Sequence, residues 1–360
     1  MNPTAAHPLK RVAIVGMGAI GSAFAAWLGS RLPAGQVELS PLARGDTLQH
    51  LRTQGLSWTD EHGIEQRLPP TALNASSNPA DLGPQDLVVI AVKGPALAAV
   101  APAVKALLAP HTTVLVAMNG LPWWFFHGLP GECAGMPLTS VDPEGHIAQA
   151  IPAAQVLGCV VHLSATQPGP GRLGPVRNNR LIVGEPGGGS TPRADAVAAL
   201  LAEAGFGVTV SERIQRDIWF KLWGNMTMNP VSALTGATCD RILDDPLVRG
   251  FCSHVMLEAQ AIGQRIGLGI DQSPDDRHAI TRQLGAFKTS MLQDVEASRP
   301  IELDALVAAV REVGQRLGLP TPHTDALLGL TRLMAQTRGL YPSPSPARCQ
   351  WATQGHPNPR

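Results

Sequence analysis

Charge is scarce in this chain and neither sign prevails: 28 Lys and Arg face 28 Asp and Glu in 360 residues. Such a surface gives no electrostatic footprint for nucleic acid or for an anionic membrane. Long apolar runs are missing too. None reaches the roughly 18 residues that a membrane span needs. The apolar stretch behind Lys10 and Arg11 breaks at Gly16 after only four residues, Val12 to Val15, which is too short for the core of a secretory signal. Cysteine is sparse, with five residues at 133, 159, 239, 252 and 349 and no Cys-x-x-Cys pair. That pattern suggests neither a disulfide framework nor a zinc site, and a reducing cytoplasm is the simplest compartment. The eleven histidines show no ligand spacing, so no metal is expected. Internal repeats are absent. The length suffices for two domains with a substantial core.

What is present is alternation. RVAIVGMG, DLVVIAV, TTVLVAMNG, QVLGCVVHLS, NRLIVGEP and GFGVTVSE read as strands. AIGSAFAAWLGSRL, PALAAVAPAVKALLA and PRADAVAALLAEAG read as helices between them. The order implies βαβ units and a mostly parallel, doubly wound sheet, an α/β Rossmann-type N-terminal domain over residues 8–211. Near residue 212 the strand signals stop. Helical periodicity then covers 214–234, 246–268, 275–297, 302–318 and 323–338, predicting an all-α C-terminal domain over 212–338. Residues 339–360, rich in Pro and polar side chains, read as a flexible tail.

The stretch VAIVGMGAIGSAFAAWL places Gly16, Gly18 and Gly21 as G-x-G-x-x-G between a strand and a helix, with Met17, Ala19 and Ile20 completing the loop. The first glycine suits the tight turn and the second lets a pyrophosphate approach the backbone. The third lets helix and strand pack closely. A dinucleotide cofactor is expected. An NAD site would show an acid at the end of the second strand, but Glu38 falls too early. Arg44 follows it, and a guanidinium fork suits a 2′-phosphate, so NADPH is expected. Lys93 in AVKGPAL and Asn119 in AMNGLPWW sit in loops after strands, where ligands of doubly wound folds bind. Trp123, Trp124, Phe125 and Phe126 read as packing.

In IQRDIWFKLWGNMTMNPVSALTG the flanks are apolar with helical spacing, yet Lys221, Asn225 and Asn229 recur every four residues. On an α-helix such positions drift only about 40° per step and climb about 6 Å, so the three share one face. A helix that is greasy elsewhere and polar along one row presents those groups to something. Further on, Ser290 reads as lying within one helix, and Glu302 as falling in the first turn of the next, where Pro and Glu are favoured anyway.

Taken in order, GMGAIG, AVKGPAL, MNG, IWFKLWGNMTMNPVSALTG and SMLQDVEASRPIELDAL resemble the ketopantoate reductases (2-dehydropantoate 2-reductases), from about residue 10 to residue 335. The resemblance implies an NADPH-binding Rossmann-type domain, a helical domain and an active site in the cleft between them. It implies that Lys221 is the general acid and that Asn225, Asn229 and Ser290 bind substrate. Asn119, the catalytic Glu302 and the backbone at Ser164 would lie by the cofactor and reacting centre, with Lys93 near the nicotinamide. The chemistry agrees. Hydride delivery to a ketone carbon leaves negative charge on oxygen, and a positioned ammonium stabilises it and supplies the proton. The implied reaction is reduction of the small 2-oxo acid 2-dehydropantoate to D-pantoate, for pantothenate and coenzyme A synthesis. The chain departs from the family where an Asn-Gly pair is common, having Thr238 and Cys239 there instead. A paralogous reductase of another 2-oxo acid and an opine-type dehydrogenase therefore stay open, while the joint presence of Lys221, Asn225, Asn229, Ser290 and Glu302 argues against a non-catalytic NADP sensor, which needs only the Rossmann half. The apolar helical domain allows a homodimer.

Overall fold

The runs VAIV, LVVI and TVLV are almost wholly buried. An unbroken β-branched run is what a sheet covered on both faces requires. The computed structural model describes residues 7–60 and 62–343. Its strands are β1 (Arg11–Val15), β2 (Glu38–Leu42), β3 (Leu56–Thr59), β4 (Glu65–Leu68), β5 (Leu87–Ile90), β6 (Thr113–Val116), β7 (Val156–Ser164), β8 (Arg172–Leu173), β9 (Arg177–Gly184) and β10 (Gly207–Val210). Seven of them form one sheet in the order β10-β9-β7-β6-β5-β1-β2. Every pair in it is parallel except β7 with β9. From β1 the chain steps outward to β2 and later returns to the other side of β1 with β5. The strand order thus reverses there, and the crevice beyond the carboxyl end of β1 is where such sheets bind ligands.

The two faces are covered differently. Val12, Ile14, Val89 and Leu115 point to a layer with Phe24, Trp27 and Phe206. Their neighbours Ala13, Val88 and Val114 point the other way, as the period of two demands. They join Trp123 to Phe126, and that layer runs without a break into Trp219 and Trp223 of the helical half. The aromatic loop is packing, as expected. Trp123 donates to the Ile151 carbonyl at 3.3 Å, and Phe125 lies 6.1 Å from Trp219. The helix Ile214–Thr235, 22 residues long, forms the axis of this half. The helices Cys239–Asp244, Pro246–Arg265, Ser290–Glu296 and Pro322–Thr337 pack around it.

Several expectations need correction. The stretch 275–297 is not one helix. It divides into Pro274–Arg282 and Ser290–Glu296, and Gly285 between them takes φ +64°, a conformation that ends a helix. Ser290 is therefore the first residue of a new helix, capped by the Thr289 hydroxyl, which accepts from the Leu292 amide at 3.2 Å. Glu302 lies just ahead of its helix, which starts with a π segment, Asp304–Ala308, and continues as Ala309–Arg316. A second sheet, β4-β3-β8, was not legible. The loose tail does not start at 339. The Leu340 carbonyl accepts from the Ile301 amide at 3.2 Å and the Tyr341 hydroxyl donates to Asp304. The rest of that tail, from 344 to 360 and including Cys349, lies outside the described residues.

Candidate active site

Four loops leave the carboxyl ends of adjacent strands. In register, Val15 of β1 stands beside Leu42 of β2 and Ile90 of β5, and Ile90 beside Val116 of β6. The Gly16 loop, Arg44, Lys93 and Asn119 therefore follow the same edge of the sheet. Glu38 pairs with Arg11 at the opposite end, which removes it from any cofactor site here.

The three glycines have three different reasons. Gly16 takes φ +97°, and a Cβ there would meet Val92 Cγ1 at 2.6 Å. A Cβ on Gly21 would meet the Gly16 carbonyl oxygen at 1.9 Å, so strand turn and helix could not close. Gly18 has an ordinary φ of −76°, and a Cβ there would meet nothing within 4 Å. Nothing within the chain demands a glycine at 18, and the open space beside it leaves room for a group to approach from outside. The helix Ala19–Arg31 that follows has no side-chain cap and no acid in its first turn, so its amide end is free for an anion. This cradle fits a dinucleotide pyrophosphate. Arg44, exposed at the start of helix Gly45–Thr53, makes no ion pair or side-chain hydrogen bond among the described residues. It is free to meet a phosphate.

Lys221 reaches across from the helical half. Its Nζ donates to Asn119 Oδ1 at 2.8 Å and to the Val161 carbonyl of β7 at 2.5 Å. An ammonium has three N–H groups, so one remains. Burial, resisted by Cys159 and Glu302, lowers its pKa to about 8. Lys221, Asn119 and Asn225 line one pocket with Met118, Ile218 and Leu222. Asn225 is half-buried and Asn229 only 6% exposed, and neither amide has a hydrogen-bond partner among the described residues. Neither amide is shut off from solvent, so both keep their hydrogen-bonding groups open to a ligand.

Glu302 is brought to the same edge. Its Oε1 accepts from the Gly94 amide at 3.0 Å, capping helix Gly94–Lys105 from the opposite half. Burial raises its proton affinity. Lys93 is not free: it is ion-paired with the buried Asp294, which also holds Arg299 at 3.1 Å. Ser290 and Ser164 are exposed, Ser164 at the far end of β7, and neither side chain makes a hydrogen bond among the described residues. Thr238 stands at the start of helix Cys239–Asp244 and donates to Asp240 at 2.5 Å, while Cys239 is buried.

Three residues went unread in the sequence. Asp294 is one. His162 on β7 is another, its pKa lowered to about 4 by burial, then by Lys221, Arg180 and Arg277. The third is Arg277, on helix Pro274–Arg282. The periodicity of Ser290 with Asp294, one helical turn apart, was the signal available for the first; the other two had none. A larger cavity of about 300 Å³ is lined by Thr139, Ser140, Asp304, Glu312, Arg332 and Tyr341 and contains none of the groups above. Its acids are already satisfied, Glu312 by Thr139 and Ser140 and Asp304 by Tyr341. At the amino end of the sheet His7, Asp86 and His111 converge with donor atoms within 4.8 Å. Their separation in sequence hid this group, and it lies at the opposite edge from Lys221.

Sequence profiles of known families match both halves. Residues 12–188 match the one described as "Ketopantoate reductase PanE/ApbA", and residues 213–335 match its C-terminal counterpart. The 2-dehydropantoate 2-reductase of Mesorhizobium japonicum is 40% identical over 331 residues, 92% of this chain and 99% of that one. A crystal structure from Ralstonia solanacearum MolK2, described as a candidate ketopantoate reductase, is 56% identical with a TM-score of 0.87, covering 92% of this chain and 100% of that one. A D-mandelate dehydrogenase in ternary complex with NADH and anilino(oxo)acetate shares the fold, at 20% identity and a TM-score of 0.76 over 92% of this chain and 99% of that one.

Proposed function

The chain belongs to the ketopantoate reductase family, NAD(P)-dependent oxidoreductases, and from that premise we propose that it reduces 2-dehydropantoate to D-pantoate with NADPH, for pantothenate and coenzyme A synthesis. The observation that carries the reading is the ammonium of Lys221. It is clamped by Asn119 and Val161, keeps one N–H unspent, and lies on the helix face that also bears two unpartnered amides. NADPH, when bound, supplies hydride to the keto carbon. The cradle at Gly18 and the free Arg44 support that cofactor. Lys221 stabilises the charge that develops on the keto oxygen and gives it a proton. Asn225 and Asn229 hydrogen-bond the hydroxyl further along the substrate. Glu302 fixes the edge of the cofactor half through Gly94.

Ketopantoate is the substrate tested first, because a site built to hydrogen-bond a hydroxyl penalises an analogue that lacks it. Its kcat/KM should exceed that of 2-oxo-3,3-dimethylbutanoate by at least ~10²-fold, a cautious share of the range such sites reach. Steady-state NADPH oxidation with the two acids decides it. An equal or better deoxy substrate would hand the lead to a reductase of another 2-oxo acid. We place the reaction in a reducing cytoplasm, which the free, buried Cys133, Cys159, Cys239 and Cys252 support. No helix among the described residues is long and apolar enough to cross a membrane. We also infer a homodimer. Leu330 and Leu333 lie three residues apart on helix Pro322–Thr337, are 60% and 61% exposed, and support a second copy there. Light scattering reads out that state.

A further inference from the structure

The Lys221 helix carries a glycine in its interior, Gly224, where an alanine would favour the helix. The reason lies above it. A Cβ at 224 would meet Arg277 Nε at 2.6 Å and Nη2 at 2.8 Å. The Arg277 guanidinium, from helix Pro274–Arg282, rests on the bare backbone of Gly224 with its carbon 5.4 Å from the centre of the Phe220 ring. Gly224 is three residues from Lys221 and next to Asn225, so the guanidinium covers the flank of the polar row.

Arg277 has no acid. Among the described residues its side chain makes no ion pair and no hydrogen bond, and its Nε is shut off from solvent without a partner. The acids of its own helix and those of the site are exposed or engaged elsewhere. Asp276 accepts from Ser273 in its own capping box, Asp294 holds Lys93 and Arg299, and Glu302 holds the Gly94 amide. Asp275, two residues before Arg277 on the same helix, is exposed and acts on His278, and the other neighbours are the cation Lys221 and the half-buried His162. Arg277 stands close enough to lower the proton affinity of both Lys221 and His162. Arg277 is partly buried, and a guanidinium drawn out of water beside a second cation, with no acid of its own, is best met by an anion.

We propose that Arg277 is the carboxylate-binding residue of the site: its guanidinium pairs with the 1-carboxylate of the 2-oxo acid while Lys221 takes the adjacent keto oxygen. The inference rests on the reductase reading and assigns the substrate's charged end. A planar fork matches a carboxylate in two parallel hydrogen bonds. Two neighbouring cations then meet the two neighbouring oxygens of an α-keto acid, and Phe220 and Gly224 hold the fork in place. Exposed Ser290 assists at most with a single hydrogen bond. The site selects acids over ketones, aldehydes and esters.

The test uses the full-length enzyme and the variants Arg277→Gln, Arg277→Lys and Gly224→Ala. NADPH oxidation is followed with the best 2-oxo acid and with its methyl ester, and calorimetry follows oxamate, an inert 2-oxo acid mimic, binding to the enzyme with NADP⁺. In Arg277→Gln, kcat/KM for the acid should fall about 10²-fold, mostly through KM, as when one partner of a buried charge pair is removed. The ester should lose far less, since it has no charge to lose. Arg277→Lys keeps the charge without the fork and should recover part of the loss. Gly224→Ala displaces the guanidinium and should raise the acid's KM while Arg277 is still present, which covers the case where position 277 tolerates no change. Equal losses for acid and ester, or a lowered Tm with unchanged KM, would mean that Arg277 only stacks on Phe220, and would overturn the proposal. The two readings fail separately. A wild-type enzyme that reduces no 2-oxo acid defeats the reductase reading, yet Arg277-dependent oxamate binding would still uphold the carboxylate site. Turnover together with oxamate affinity indifferent to Arg277 defeats only the carboxylate site.

Discussion

Lys221 is asked to be charged and buried at once, and its proton is held accordingly. Burial, opposed by Cys159 and Glu302 and aided by Arg277, brings its pKa to about 8. With Lys221 as the proposed proton donor, the acid form is the useful one, and kcat/KM should be level below about pH 8 and fall about tenfold per unit above it. The unfolded chain titrates near 10.5. Between those values the unfolded state binds more protons, so stability at this residue rises with pH, and below about 8 the full cost is present. That cost is on the order of 3 kcal/mol. Lys221→Met should therefore lose roughly 10²–10⁴ in kcat and yet melt no lower than the wild type at pH 7. Full turnover by the variant would remove the lysine from the mechanism. Arg44→Ala concerns a second single contact. It should weaken NADPH by about 1.5–3 kcal/mol, as for a hydrogen bond to a charged group, and leave NADH unchanged. Equal loss with both cofactors would give Arg44 a role in the fold instead.

Among the elements, the glycine loop separates what the fold needs from what the ligand needs. Gly21→Ala forces a Cβ into the Gly16 carbonyl and should destabilise by about 1–3 kcal/mol or more. Gly18→Ala meets only open space, so its stability cost should stay below about 1 kcal/mol, the range of a helix-start substitution, while NADPH affinity collapses. Thermal melts and fluorescence titration of the two variants check the split; intact NADPH binding in Gly18→Ala would mean that no pyrophosphate lies there. This loop was legible because strand, turn and helix each leave a local mark. The row Lys221, Asn225 and Asn229 was legible for the same reason, since its period of four stands out against an apolar helix. The short strands LSWT and EQRL were not, because four residues with mixed polarity look like a loop. Asp294 and Arg277 were missed because a charged residue on a short helix is normally solvated. Only the packing of Pro274–Arg282 on Gly224, and of Ser290–Glu296 beside Lys93, changes that meaning. Gly285, inside the presumed single helix, was a readable break that helical periodicity on both sides concealed.

On the scale of the molecule, the sheet half and the helical half are pinned along one edge by Lys221 on Asn119, Glu302 on Gly94 and Asp294 on Lys93. The last pin is the one to cut. Asp294→Asn leaves Lys93 and Arg299 without an acid. Both are about half exposed, at 44% and 52%, and solvent screens them. The loss should be about 1–3 kcal/mol, below that of a fully buried pair, read as a lowered midpoint in urea; an unchanged midpoint would show that the pair adds nothing. The pins also have a direction in time. Asn119 and Lys221 are 102 residues apart, and Gly94 and Glu302 are 208 apart. Contacts of that span form only after long loops have closed. A chain leaving the ribosome thus completes the proposed cofactor cradle while the proposed proton donor, Lys221, is still unmade, and its last pin waits for Glu302. Refolding enzyme should accordingly regain NADPH fluorescence before it regains turnover, and for that interval it holds a reductant that it cannot yet spend.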